Sequence, residues 1–440
     1  MLIQARAFDA ALGDFDTQLD PLLKRIYQAR GITDSTALER KLSCLPAPSV
    51  MQGIPAAVAL LVSSLKQQQR VLIVGDFDAD GATSSALMVL ALTAMGYQQV
   101  DFLVPNRFDY GYGLTPEIVD LALEKAPDLI ITVDNGISSI EGVAHANKLG
   151  IQVIVTDHHL PGASLPEAAA IVNPNQPGCD FPTKNLAGVG VAFYLLSALR
   201  AELRKQDWFA EAEIAEPNMA NWLDLVALGT VADVVPLDQV NRALVYQGLM
   251  RIRAGKCRPG IQALLTIAGK SAHSLVATDL GFALGPRLNA AGRLDDISLG
   301  IQCLLTNDHQ QAMLGAQQLD ELNQDRKLIE QGMQREALAI VEKIPLSLDG
   351  EVPVALCLFQ PEWHQGVVGL LASRIKEKYN RPVVAFARGD GGQLKGSSRS
   401  IPGLHIRDAL DAVATQNPGL ITKFGGHAMA AGLSLDEDKL

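Results

Sequence analysis

Five short apolar runs, VLIVGDFD (71–78), QVDFLVPN (99–106), LIITVDNG (129–136), VIVTDHH (153–159) and AAIVNPN (169–175), are spaced by stretches with helical periodicity such as TSSALMVLALTAMG and IEGVAHANKLG. No other pattern in the chain constrains its fold as strongly. Runs of this length, rich in Val and Ile, read as strands buried on both faces, and their alternation with helices is the pattern of βαβ units wound into a doubly wound parallel sheet. Ligands of such sheets sit outside the carboxyl ends of the strands, and here those ends are acidic: GDFDADG (75–81), TVDNG (132–136) and TDHH (156–159). A fourth cluster, VADVV (231–235), follows another apolar run. Four such sites and a histidine pair predict strand ends converging on one metal-binding crevice.

At 440 residues the chain exceeds what one core usually supports, so an α/β fold in two domains with a helical connector is expected. Residues 1–48, with PLLKRIYQARG and its glycine stop, predict a small helical lead-in, and residues 49–240 hold the parallel sheet. Strand signals fade from about 190, and residues 241–348 form a helical region. It ends in HQQAMLGAQQLDELNQDRKLIEQGMQREALAIVEKI, one long connector helix of alternating charge. A smaller α/β unit, 349–440, follows with PVALCLF, VVGLLASRIKEKY, PVVAFAR and GSSRS at a further strand end. Its last residues, SLDEDKL, read as the opening of a helix, so this unit is expected to be truncated.

The longest nearly apolar stretch, Ala187 to Leu199, is too short and too glycine-containing to span a bilayer, and the N-terminus lacks a basic segment leading into an apolar block. No membrane partner and a cytoplasmic location are expected. Five scattered cysteines without a C-x-x-C argue against disulfides or a zinc knuckle and read as small buried hydrophobes. A net charge of −11 disfavours bulk attraction to DNA. Yet MRIRAGKCRPG (250–260) has four basic residues and no acid, and Arg374 to Arg407 is also basic. These are either places where a polyanion is held locally in a groove or ordinary solvated faces.

In GDFDADG, a strand continuing through Asp76, Asp78 and Asp80 would put three carboxylates on one side. Like charges so close raise one another's pKa or bind a cation. The D-x-D-x-D-G spacing imitates a calcium loop, but its twelfth position is Leu87 rather than Glu. It also imitates the D-x-D-x-T of aspartyl-phosphate phosphatases, but Asp80 stands at the Thr position. A plain surface turn remains the bland alternative. Asp134 and Asp233, taken singly, read equally well as helix N-caps or loop acids. His158 and His159 are more specific, because adjacent strand residues point opposite ways and one can ligate metal while the other faces substrate. Mixed carboxylate and imidazole ligands favour Mn²⁺ over Mg²⁺. Two ions about 3.5 to 4 Å apart, bridged by Asp, are an arrangement for phosphoester hydrolysis.

With these residues go LVPNRFDYGYGL, VDNGISS, VTDHHLPG, NPN, LAGVGVAFY, ALGTVADVVPL, LGPRLNAAGRLDD, PEWHQGVVG, KGSSRS and FGGHAMAAGLSL, spread over essentially the whole chain. Together they resemble the DHH phosphoesterase superfamily, and within it the bacterial single-strand-specific 5′→3′ DNA exonucleases. The resemblance implies a DHH catalytic domain (49–240), a connector (241–348) and a DHH-associated domain (349–440). The oligonucleotide-binding (OB) domain that normally accompanies these parts is expected to be absent. The resemblance also implies Asp78, Asp80, Asp134, His158 and Asp233 as metal ligands for two Mn²⁺ (or Mg²⁺) ions, with His159 and Asp76 as catalytic residues. Arg107, Arg287, Ser397 and Arg399 would receive a terminal 5′-phosphate, and His427 would bind substrate. The expected activity is release of 5′-mononucleotides from the 5′ end of single-stranded DNA, in repair and recombination, by a monomer partnered by a helicase and a single-strand-binding protein. The rivals are a short-oligonucleotide or cyclic-dinucleotide phosphodiesterase of the same superfamily and a noncatalytic scaffold. Filled ligand positions and the pocket arginines favour the exonuclease.

Overall fold

The structure is a computed structural model that describes residues 15, 19–32, 34–106, 110, 112–344, 353–389 and 392–440. It divides into two compact units, residues 1–320 and 321–440, the division falling inside the long helix.

The first unit is built on five parallel strands, β1 (Val71–Gly75), β2 (Val100–Leu103), β3 (Leu129–Val133), β4 (Gln152–Thr156) and β5 (Ala170–Val172), in the order β2-β1-β3-β4-β5. These are the five runs expected from the sequence. Every residue of β1 and β3 is buried, which is why those runs are apolar at every position instead of alternating. One face packs Leu72, Val74, Ile130, Val153 and Val155 against Ile118, Val119, Val143 and Ala146. The strand order reverses between β1 and β3, and at such a switch point the loops leaving the two strands diverge and open a crevice.

Around the sheet run α1 (Pro21–Gln28), α2 (Ile54–Lys66), α3 (Ala79–Ala94), α4 (Pro116–Ala122), α5 (Ile140–Lys148), α6 (Gly188–Lys205), α7 (Trp208–Glu211), α8 (Leu223–Ala232), α9 (Gln239–Arg253), α10 (Pro259–Ile267), α11 (Ala277–Asp279), α12 (Gly285–Leu294) and α13 (Ser298–Leu305). Helix α3 is buried from Ala79 to Met88 and α8 from Leu223 to Thr230, so each packs as a core helix against α6 although both carry buried polar side chains, Asp80 and Asp224 among them. The lead-in is tied to α9, where Gln239, Arg242 and Gln247 donate to the carbonyls of Thr36, Ala37 and Arg40. Helix α14 (His309–Val341) is the single long helix expected. Among the described residues no strand lies between Val172 and Leu356, and no single helix is long and apolar enough to cross a membrane.

The second unit holds β6 (Leu356–Phe359), α15 (Val368–Tyr379), β7 (Val383–Arg388), β8 (Gln393–Arg399), α16 (Ile406–Gln416), β9 (Lys423–Gly426) and β10 (Ala430–Asp436). Its sheet runs β6-β7-β8-β10-β9, parallel only between β6 and β7.

Three expectations change. SLDEDKL does not open a helix: Ser434–Asp436 finish β10, and Glu437–Lys439 form one 3₁₀ turn. GGHAMAAG, which carries His427, forms the β9–β10 hairpin. Cys179 and Cys303 are buried, but Cys44 and Cys357 are exposed. Two of the three arginines of segment 250–260 are engaged by the fold rather than left free on a solvated face. Arg253 donates twice to the Leu275 carbonyl, and Arg258 to the carbonyls of Leu304, Leu305 and Thr306. They satisfy carbonyls where segments end.

Candidate metal centre

The acids gather at the switch point, by a different local route from strand alternation. Strand β1 stops at Gly75, and the chain turns directly into α3. Asp76 is buried in the turn, and Asp78 is the N-cap of α3, its Oδ1 accepting from the amides of Asp80 (2.9 Å) and Gly81 (3.0 Å). Asp80 sits in the first helical turn, where a carboxylate favours the helix dipole. Its oxygens also accept from the amides of Gly188 (2.6 Å) and Val189 (2.9 Å) at the start of α6. Asp134 follows β3 with φ +61, a left-handed conformation that Asp and Asn tolerate better than most residues. Asp233 arrives from no strand at all. It is the C-cap of α8, so the expectation of four strand ends holds for three segments and fails for this one.

The histidines follow β4 in a loop rather than in the strand. His158 Nε2 lies 3.0 Å from Asp134 Oδ1 and 3.5 Å from Asp233 Oδ2. His159 turns to Asp157, its Nδ1 2.8 Å from Oδ1. The donor atoms form three overlapping groups able to hold a cation: Asp134, His158 and His159; Asp80, His158 and Asp233; Asp76, Asp78 and Asp134. Two groups share Asp134, and two share His158.

The chemistry of this donor set fits a divalent ion. Asp134 Oδ1, His158 Nε2 and Asp233 Oδ2 are buried and converge, yet none has a hydrogen-bond partner. Three buried polar atoms facing one another, with no hydrogen-bond partner from the surrounding chain, suit a common cation. Burial, reinforced by the neighbouring carboxylates, pushes the Asp80 and Asp134 carboxyls well above the usual range. Burial and the charge of Asp78 raise Asp233 to about 7. Burial and the charge of His159 lower His158 to about 4, which leaves a neutral imidazole, the form that ligates metal. Burial also opposes a charge on His159, but the hydrogen bond and charge of Asp157 outweigh it and keep it protonated to about 9.

Close packing fixes these groups. A Cβ at Gly188 would meet Asp134 Cβ at 2.7 Å, and one at Gly229 would meet Asp80 Oδ1 at 2.9 Å. A polar layer that the sequence flagged only as motif strings holds the loops. Asn135 Nδ2 ties the two diverging strand ends by donating to the carbonyls of Val74 and Val133. In NPN, Asn175 donates to the His158 carbonyl (2.6 Å) and Asn173 to that of His159 (2.9 Å). Asp157 accepts from the amides of His158, His159 and Ile137. The Tyr112 hydroxyl is 3.2 Å from His159 Nδ1, and its ring stands edge-on to that imidazole; Tyr110 packs on the core.

The remaining expected residues are placed as follows. Arg107 lies outside the described residues. Arg287, on α12, is held by Asp320 (2.7 Å) and by the Ala283 carbonyl, the structural ion pair that any single arginine most often makes. In the second unit Arg399 Nη1 donates to Ser397 Oγ (3.0 Å) and to the Ser398 carbonyl (2.8 Å), and burial lowers its pKa. His427 lies in the hairpin whose Ala430 pairs with Arg399, so all three belong to one corner of the second sheet.

Residues 70–230 match the DHH family, N-terminal domain, and residues 351–440 match the DHHA1 domain. Fold and site thus define a DHH protein with its associated domain. Within that class, the chain belongs to the RecJ family of single-stranded-DNA-specific exonucleases. It is 60% identical over 426 residues to single-stranded-DNA-specific exonuclease RecJ of Escherichia coli (strain K12), covering 97% of this chain and 74% of that protein. It superposes on the crystal structure of exonuclease RecJ bound to manganese with a TM-score of 0.73 at 36% identity, covering 88% of this chain and 91% of that one. On the crystal structure of RecJ in complex with Mg²⁺ from Thermus thermophilus the TM-score is 0.70 at 31% identity, covering 97% of this chain and 58% of that one.

Proposed function

We propose that this chain is a metal-dependent exonuclease that hydrolyses single-stranded DNA from its 5′ end to 5′-mononucleotides, serving repair and recombination. The observation that carries the reading is the convergence of three buried, unpartnered donor atoms, Asp134 Oδ1, His158 Nε2 and Asp233 Oδ2, at the switch point of the parallel sheet. Asp78, Asp80, Asp134, His158 and Asp233 hold two ions, Mn²⁺ or Mg²⁺, with Asp76 beside them; the overlap of the donor groups at Asp134 and His158 supports a pair. Bound there, such ions supply Lewis acidity to phosphoryl oxygens and lower the pKa of the attacking water.

The chain's own residues do the rest. Asp157 fixes the His159 ring through Nδ1 and leaves Nε2 as a charged donor for the phosphoryl oxygens as negative charge develops on them. Asn173 and Asn175 hold the loop that presents both histidines. Ser397 and Arg399 supply donors for the terminal phosphate, for which a guanidinium fork and a hydroxyl are suited. Arg287 keeps its orientation through Asp320 and adds positive charge in the first unit.

The test is digestion of single-stranded DNA labelled at either end, with Mn²⁺, beside Asp134→Asn, which keeps the left-handed backbone and removes the charge. Early release of 5′ label as mononucleotide, lost in the variant, is expected. Equal loss from both ends defeats the polarity, and an unimpaired variant defeats the site.

A further inference from the structure

One of the three donor groups, Asp80, His158 and Asp233, is reached by two loops that supply little more than backbone to it. Residues 183–189 lead into α6. The amides of Gly188 and Val189 donate to Asp80, His158 hydrogen-bonds the Leu186 backbone, and the Lys184 carbonyl shares the Asn175 side-chain amide with the carbonyl of His158. Residues 233–238 leave α8 and begin with the third donor, Asp233, followed at once by Val234 at φ +64. A β-branched residue in the left-handed region is strained and persists only where its surroundings over-determine it. Val234 is 84% exposed, so burial of its side chain does not supply that constraint.

Both loops are tied to the first turn of α9. Asn241 there is wholly buried, and its Nδ2 donates to the Asn185 carbonyl (2.6 Å) and to the Pro236 carbonyl (2.9 Å), one in each loop. Two carbonyl acceptors fix which end of the side-chain amide faces the loops. Asp238, the N-cap of α9, accepts from the Asn241 backbone amide (3.1 Å), from the Asn185 side chain (3.2 Å) and from the Thr183 hydroxyl. That hydroxyl in turn accepts from the Asn185 backbone amide (2.9 Å). The group of Asp76, Asp78 and Asp134 is fixed elsewhere: Asp78 caps α3, and Asn135 ties the ends of β1 and β3 from which Asp76 and Asp134 depart.

We propose that Asn241, with Asp238 and Thr183, is a positioning clasp that sets the spacing of Asp80, His158 and Asp233 and hence the affinity for the ion they hold; this rests on the metal centre of the proposed function. The clasp touches no donor atom and acts through the two loops. A buried carbonyl that loses its donor pays the full desolvation penalty, so Asn185 and Pro236 stay where the one amide can serve both. Partners that orient metal ligands from outside the ligand shell govern affinity strongly. Because these hydrogen bonds lead to one donor group and the other is fixed by α3 and Asn135, the clasp governs one ion of the pair.

The experiment measures Mn²⁺ binding to the chelator-stripped full chain from the electron paramagnetic resonance of the free ion, so that the readout needs no catalysis. Wild type, Asn241→Ala and Thr183→Val are compared, and thermal melting of each in chelator checks folding. Wild type should bind two ions. Asn241→Ala should weaken one of them about 10- to 100-fold and leave the other unchanged. Thr183→Val, which keeps the shape and removes the hydroxyl, should weaken the same ion by a smaller factor, and it decides alone if Asn241→Ala does not fold. Equal weakening of both ions, or a lower melting temperature with both affinities unchanged, reduces these residues to fold stability and overturns the clasp. Fewer than two ions on wild type overturns the paired centre and the clasp with it. Two ions on wild type without digestion of single-stranded DNA would instead overturn the nuclease reading alone.

Discussion

Asp157 ligates nothing in the three donor groups, yet it decides what both histidines can do. Its two oxygens accept from the amides of His158, His159 and Ile137 and from the His159 ring, so one buried carboxylate fixes the loop and the tautomer together. The pair is also a pH device. The folded-state pKa of His159 is raised from 6.5 to about 9, so its contribution to stability is full below about 6.5 and is lost as pH rises through about 9. The Asp157 carboxyl is lowered, since its hydrogen bonds outweigh burial, and its contribution is present above the ordinary carboxylate range and is lost as pH falls through the lowered value. In chelator-treated protein, the stability difference between wild type and His159→Gln should be greatest from about pH 5 to 6.5 and close by about pH 9 to 10. A difference constant across that range in denaturant titrations would reduce the pair to packing. TDHH was legible as a candidate ligand cluster, because residue types alone show that. The partners of Asp157 were not, because backbone amides acquire their directions only when the loop after β4 folds.

Among elements, the contact of α15 with β8 leaves no room for one added methyl group. Gly369, in the first turn of α15, leaves room for the proposed phosphate donors: a Cβ there would lie 2.9 Å from Arg399 Nη2 and 3.0 Å from Ser397 Oγ. Gly369→Ala must move the far end of Arg399, and loss of one charge-assisted hydrogen bond costs about 1.5–3 kcal/mol, or about 10- to 100-fold. The expected outcome is a fall of that size in the preference for a 5′-phosphate over a 5′-hydroxyl strand, with Mn²⁺ affinity unchanged. Retained preference would separate Ser397 and Arg399 from the phosphate. The five strands and α14 could be read in advance because uninterrupted apolar runs and a long stretch of alternating charge with few breakers are local signals. Asp233 could not be placed: VADVV has the composition of a strand end, and only the packing of α8 on α3 makes it a helix C-cap. The roles of Arg253 and Arg258 were out of reach for a related reason. Their acceptors lie as far away as Leu304 to Thr306.

For the molecule as a whole, a net charge of −11 is no obstacle to a nucleic-acid substrate, because the negative charge is partly concentrated in groups able to hold cations. The donor atoms come from loops after β1, β3 and β4, from the first turn of α3 and from the end of α8, spanning residues 76 to 233. Cation binding therefore ties together segments distant in sequence, and it stabilises the folded state by about 2.7 kcal/mol when free ion is a hundred times Kd. Affinity should also rise with pH through about 7 as Asp233 loses its proton, because the carboxylate is the ligand. The central claim is that these buried donors form one metal centre. Calorimetric titration of Mn²⁺ into the chelator-stripped chain, wild type beside Asp134→Asn, tests it most directly. Two ions per chain with strong loss of binding in the variant is the predicted result, and undiminished binding by Asp134→Asn, or none by wild type, would contradict it.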